Sequence, residues 1–149
     1  MDVTELFCRY RDDVYRLALS YTRRPQEAED VCQTVFLKLV EKNAPEPGKE
    51  RAWLMQVTAN QCRSLLRSAW WKRQVPLEDA PVCDDRMPDR SVYRAVMSLK
   101  PKYRVVVYLH YYEGYSTGEI AALLKLSTTA VTTRLSRARE KLRNLLKED

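Results

Sequence analysis

Glycine is scarce in this chain, with three in 149 residues, and no glycine-rich loop is present to cradle a phosphate. Histidine occurs once, as His110, and the acids are scattered. No acid, base and nucleophile therefore come together as a catalytic constellation, and an enzyme is not expected. His110 lies in an apolar, tyrosine-rich stretch and reads as a structural histidine. The four cysteines, Cys8, Cys32, Cys62 and Cys83, include no Cys-x-x-Cys pair, so zinc-site spacing is missing and no metal or cofactor is expected. Cys8, Cys32 and Cys62 fall in amphipathic segments and read as small core fillers, whereas Cys83 sits in a polar stretch. No apolar run reaches the roughly 20 residues that span a bilayer. The N-terminus, MDVTELFCRYRDD, has no apolar segment of the secretory kind. The expected location is cytoplasmic, without membrane insertion.

Charge is plentiful and unevenly placed. The net charge is +6. Arg51, Arg63, Arg67, Lys72 and Arg73 follow one another with no acid between them. A second basic block runs through Lys125, Arg134, Arg137, Arg139, Lys141, Arg143 and Lys147, against Glu140 alone. Between the blocks, Glu78, Asp79, Asp84, Asp85 and Asp89 form an acidic stretch. Two basic patches either side of an acidic connector read as two polyanion-binding surfaces.

Alternating β-branched runs are missing and helical spacing recurs, which makes the fold class all-α. The segment 75–90, VPLEDAPVCDDRMPDR, holds three prolines and no periodicity. It reads as a flexible linker between an N-terminal module, 1–74, and a C-terminal one, 91–149. In the first module, Phe7, Tyr10, Val14, Leu17 and Tyr21 fall on one helical face. Pro25 opens a second helix with Ala28, Val31, Val35 and Leu39 inward, and its first turn is acidic. A third helix, about 51–71, carries Trp53, Leu54, Val57, Leu65 and Leu66 as expected core. After the linker, Val92, Val96 and Leu99 mark a short helix. Pro101 opens another that stops at Glu113-Gly114.

Ser116-Thr117-Gly118-Glu119 has the spacing of a capping box and precedes a short helix with Ile120, Ala121 and Leu124 inward. Ser127 can cap a second helix a few residues later. Val131, Leu135, Ala138, Leu142 and Leu145 share one side of it, while Arg134, Arg137 and Lys141 share another. Two helices joined by a tight turn, the second basic on its solvent face, form a helix-turn-helix pattern. Thr128, Thr129, Thr132 and Thr133 are short enough to approach base edges or phosphates, and the arginines can reach guanine or backbone oxygens.

The string YYEGYSTGEIAALLKLSTTAVTTRLSRAREKLR resembles region four of the extracytoplasmic-function sigma factors of bacterial RNA polymerase. AEDVCQTVFLKLVE, followed by RAWLMQVTANQCRSLLRSAWWKR, resembles region two of the same family. The two occur in the family's order and together take in nearly the whole chain. The resemblance implies two small helical domains on a linker, the C-terminal one helix-turn-helix and winged-helix-like. Asp30, Gln33, Val35 and Phe36 match the surface that docks on the β′ clamp helices of core polymerase. From its position alone Phe36 is open to two readings, an exposed interaction residue or a second core contact. Asn60, Arg63, Arg67, Lys72 and Arg73 match the part that captures the minus-ten element, where a flipped base is held by Asn60. Trp70 and Trp71 stack on bases or close the core, with nothing in the sequence to decide between them. Thr132, Thr133, Arg134, Arg137 and Lys141 match the reader of the minus-thirty-five duplex. The implied partners are promoter DNA, core polymerase through β′ and the β flap, and an anti-sigma factor. Thr34 and Ser64 depart from the family, which usually has an acid at the first and often at the second. The alternative reading is a stand-alone helix-turn-helix regulator of duplex operators.

Overall fold

The computed structural model describes residues 2–42, 45–68 and 90–147. The chain divides into two compact units, 1–78 and 79–149. Among the described residues every regular element is helical, so the helix-turn-helix carries no strand-built wing.

The first unit contains α1 (Val3–Thr22), α2 (Pro25–Glu41) and α3 (Glu50–Arg67), and each packs on the other two. Asp2 caps α1, its side chain accepting from the Glu5 N–H at 2.9 Å. Pro25 occupies the first turn of α2, where its missing N–H costs nothing. Ala28, Val31, Val35 and Leu39 are buried as their spacing predicts. In α1, Val14, Leu17 and Tyr21 are buried, but Leu6 and not Phe7 completes the stripe; Phe7 is 40% exposed. Cys8, expected inside, is exposed, because it stands beyond Phe7 on the outward side.

In α3 the buried face is Leu54, Met55, Thr58, Ala59 and Cys62. This is rotated from the expected one, since Trp53, Val57, Leu65 and Leu66 are only half-buried. α1 and α2 both pack on α3, and its buried face takes in the large Leu54 and Met55 beside the small Ala59 and Cys62. Thr58 tolerates burial by donating its hydroxyl to the Leu54 carbonyl at 2.6 Å. The helix ends at Arg67, short of the expected 71, with Ser68 extended at φ −68, ψ 150. Ion pairs tie the helices at the rim. Arg11 spans to Glu29 at 3.1 and 3.3 Å, and Arg51 reaches Asp13 at 3.5 Å.

The second unit contains α4 (Arg90–Ser98), α5 (Pro101–Val107), α6 (Thr117–Leu124) and α7 (Thr128–Lys147). α7 packs against the other three. A π-helical turn, Tyr108–Tyr112, continues α5. His110 closes that turn by donating from Nδ1 to the Tyr115 carbonyl at 2.8 Å, since a carbonyl can only accept. The capping box of α6 is complete: the Glu119 N–H donates to Ser116 Oγ at 3.1 Å, and the Ser116 N–H to Glu119 Oε1 at 3.0 Å. Ser127 caps α7 by accepting from the Ala130 N–H at 3.0 Å. Val131, Leu135 and Ala138 are buried, but Leu145 is 38% exposed because α7 runs past its neighbours. Arg23 and Lys125 close α1 and α6 in the left-handed conformation, at φ 64 and 57.

Candidate nucleic-acid and polymerase interfaces

Two sets of sequence-predicted residues are brought together, one in each unit. On α3, Asn60 and Arg63 are half-buried and Arg67 is exposed. Asn60 Oδ1 accepts from both Arg63 and Gln56, the latter at 3.1 Å. The row Gln56–Asn60–Arg63 thus lies along one helix face at steps of four and three. Its amide nitrogens and guanidinium offer donors without a neighbouring acid on the helix. Gln56 escaped the sequence reading, although its position four residues before Asn60 would have placed it there. Lys72 and Arg73, with Trp70, Trp71 and Cys83, lie outside the described residues.

On α7, Thr128, Thr129, Thr132, Thr133, Arg137 and Lys141 are exposed and Arg134 is half-buried. Thr132 donates its hydroxyl to the Thr128 carbonyl at 2.9 Å, which leaves an acceptor lone pair and a methyl group facing outward. Arg139 is turned elsewhere, donating to the Tyr111 hydroxyl at 2.7 Å on the π-helical turn.

The set on α2 expected to face polymerase is only partly a surface. Asp30 and Gln33 are exposed. Val35 is 0% exposed and belongs to the core, so it positions the helix and cannot itself touch a partner. Phe36 is buried at 6%, its ring edge against Phe7 at 5.1 Å and 73°, which resolves its two readings toward packing. The apolar surface lies one step on: Leu37 is 59% and Val40 62% exposed. With Val3, Phe7 and Phe36 these line a groove of about 430 Å³ between α1 and α2, with Gln33 at its edge. Their signal was legible, since α2 has more apolar residues than one stripe can bury.

The buried thiols are not chemistry. Burial first, then the Glu29 charge, pushes Cys32 up to about 12, and burial likewise pushes Cys62 up. Both stay neutral and unreactive at physiological pH. Among the described residues no cluster of His, Cys, Asp and Glu could hold a metal ion. No described helix is long and apolar enough to cross a membrane.

Residues 6–72 match the sigma-70 region 2 family and residues 89–142 match sigma-70, region 4. Over 97% of its length the chain is 34% identical to the RNA polymerase sigma factor CarQ of Myxococcus xanthus, covering 88% of that protein. It is 32% identical over 95% of its length to the ECF RNA polymerase sigma factor SigM of Mycobacterium tuberculosis, covering 76% of it. The chain belongs to the extracytoplasmic-function sigma factors. A solved structure of the sigma factor RpoE in complex with the anti-sigma factor NepR, from Bartonella quintana, shares the fold with a TM-score of 0.74. Its identity is 22%, over 98% of this chain and 97% of that one. As a sigma factor this protein acts with core RNA polymerase, recognises promoters and initiates transcription. Nothing among the comparisons favours a stand-alone regulator.

Proposed function

We propose the following division of labour along the sigma factor. Residues 1–74 bind core polymerase and the minus-ten element, 75–90 are the linker, and 91–149 bind the minus-thirty-five element. The observation that carries this is the pairing of a donor row on α3 with a solvent-facing Thr/Arg row on α7. A splayed base needs amide donors and acceptors at close range, which Asn60 supplies, flanked by Gln56 and Arg63. Arg67 faces the backbone of the same strand, with Lys72 and Arg73 beyond it in sequence. A duplex needs a helix with short polar side chains at its entering end and cations further along. α7 has that order: Thr132 and Thr133, then Arg134, Arg137 and Lys141.

Core polymerase docks through the β′ clamp helices on α2, using Asp30, Gln33 and the Leu37–Val40 groove, while the β flap engages the second unit. An anti-sigma factor, of the kind seen with the RpoE neighbour, masks these surfaces when the protein is silent. The protein works in the cytoplasm and contributes binding energy to promoter opening, with no covalent catalysis of its own.

Run-off transcription with purified core polymerase on a promoter library tests the whole reading. Specific transcripts are expected only when this protein is added; their absence, together with no co-elution with core, would refute it. Within it, Asn60→Ala is expected to slow open-complex formation by an order of magnitude while leaving core binding intact. Loss of core binding in that variant would show that Asn60 serves the fold or the polymerase and not a base. Arg137→Ala is expected to weaken minus-thirty-five duplex binding by roughly tenfold, the value of one good base or phosphate contact. Unchanged affinity at matched salt would remove it from the interface.

A further inference from the structure

Tyr103 stands near the start of α5, outside the helix-turn-helix. It packs with Val96, Leu99, Val107 and Ala138 in the core of the second unit. It also gathers cations. Lys102 Nζ lies 5.1 Å from its ring centroid and Lys141 Nζ 5.5 Å. The Arg137 guanidinium lies close enough to act on the phenol as well. Burial acts to raise the Tyr103 phenol, yet Lys102, Arg137 and Lys141 outweigh it and hold it below the usual tyrosine value.

Three positive charges from two helices thus surround one neutral ring. Among the described residues none of the three pairs with an acid. The ring face offsets a part of their mutual repulsion, and an anion would relieve the rest. Arg137 and Lys141 are one turn apart on α7, so the cluster prolongs the row that faces DNA. Lys102 adds a charge from a helix the DNA-reading motif does not include. The ligand that fits a line of fixed cations is a line of fixed anions, and each strand of a duplex supplies one.

We propose that Lys102, Arg137 and Lys141, held around Tyr103, form a clamp on the sugar-phosphate backbone of duplex DNA, carrying the contact from α7 onto α5. The clamp rests on the reading of α7 as the DNA-binding helix. Because it grips phosphate, it adds affinity without adding sequence preference. Tyr103 is its positioning residue: the ring and hydroxyl hold the cations and do not touch DNA.

The test uses the full-length chain and a labelled duplex of arbitrary sequence, with binding followed by fluorescence anisotropy across a sodium chloride series. Lys102→Gln is expected to lower the slope of log affinity against log salt by about one, with several-fold weaker binding at low salt. Arg9→Gln removes the same charge from the exposed surface of the first unit and is expected to leave the slope as it was. A Lys102→Gln slope equal to wild type, or lowered no more than by Arg9→Gln, overturns the clamp. Arg137→Ala separates the two levels. If it weakens binding while Lys102→Gln does not, the clamp alone fails. If Arg137→Ala also changes nothing, the DNA-binding role of α7 fails and the clamp with it.

Discussion

Leu37→Asp is expected to reduce affinity for core polymerase by about 30-fold, the effect of losing one interface hot spot of about 2 kcal/mol. The melting temperature should barely move. The two outcomes separate because Leu37 is 59% exposed on α2 and supports nothing beneath it. Surface changes of that kind alter stability by roughly 0.5 kcal/mol or less. The groove it borders with Val3, Phe7, Phe36 and Val40 is almost wholly apolar, and a carboxylate there would have to be desolvated by any partner that covers it. Phe36→Ala could not give so clear an answer, since Phe36 packs on Phe7 and its loss would also loosen α1 against α2. Co-elution of Leu37→Asp with core, alongside a thermal melt, reads both quantities. Binding equal to wild type would move the polymerase contact off this groove.

Arg104→Ala is expected to destabilise the second unit by roughly 2–4 kcal/mol, a large share of what a small domain holds. Arg104 is 4% exposed. Its Nη1 donates to the Leu99 carbonyl at 2.7 Å, and more loosely to that of Met97 at 3.4 Å. These carbonyls close the C-terminal end of α4, where a helix leaves acceptors unpaired and favours a cation. Truncation removes the donor, empties the space around it and frees α4 from the wall it forms against α7. Duplex binding should fall with the fold of this unit, whereas core binding through α2 should persist. A calorimetric melt indistinguishable from wild type would show that the Arg104 contacts carry no net stability.

The helix-turn-helix was the most legible part of the sequence, and for a local reason. Capping boxes and short turns are specified by residues within three or four positions of one another, so Ser116, Glu119 and Ser127 announce their own hydrogen bonds. The stripe of α2 was equally clear, because it faces one way. Long-range choices were not. Leu6 and Phe7 are adjacent and both apolar; Leu6 takes the buried place and Phe7 stays partly exposed with its ring against Phe36, a choice that depends on residues distant in sequence. In α3, the large Leu54 and Met55 are buried along with the small Ala59 and Cys62, while Trp53 and Leu65 stay half-buried. The inner face is set by where α1 and α2 meet the helix and not by residue size. The π-helical turn at Tyr108–Tyr112 leaves no periodic trace in five residues.

The candidate site divides the same way. Thr132, Thr133, Arg137 and Lys141 could be found from their spacing on one helix. Lys102 and Tyr103 could not, since their relation to Arg137 and Lys141 exists only once α5 meets α7.

Two of the helix ends described above turn through a conformation that suits glycine, yet carry Arg23 and Lys125. A side chain there costs about 1 kcal/mol. For anyone engineering a sturdier version of this transcription factor, Arg23 and Lys125 are the natural starting points, and they differ in what is given up. Lys125 stands at the turn between α6 and α7, and replacing it by glycine would relieve the strained turn but remove one positive charge beside the helix proposed to bind DNA. Thermostability and promoter affinity are therefore expected to pull in opposite directions at that one residue.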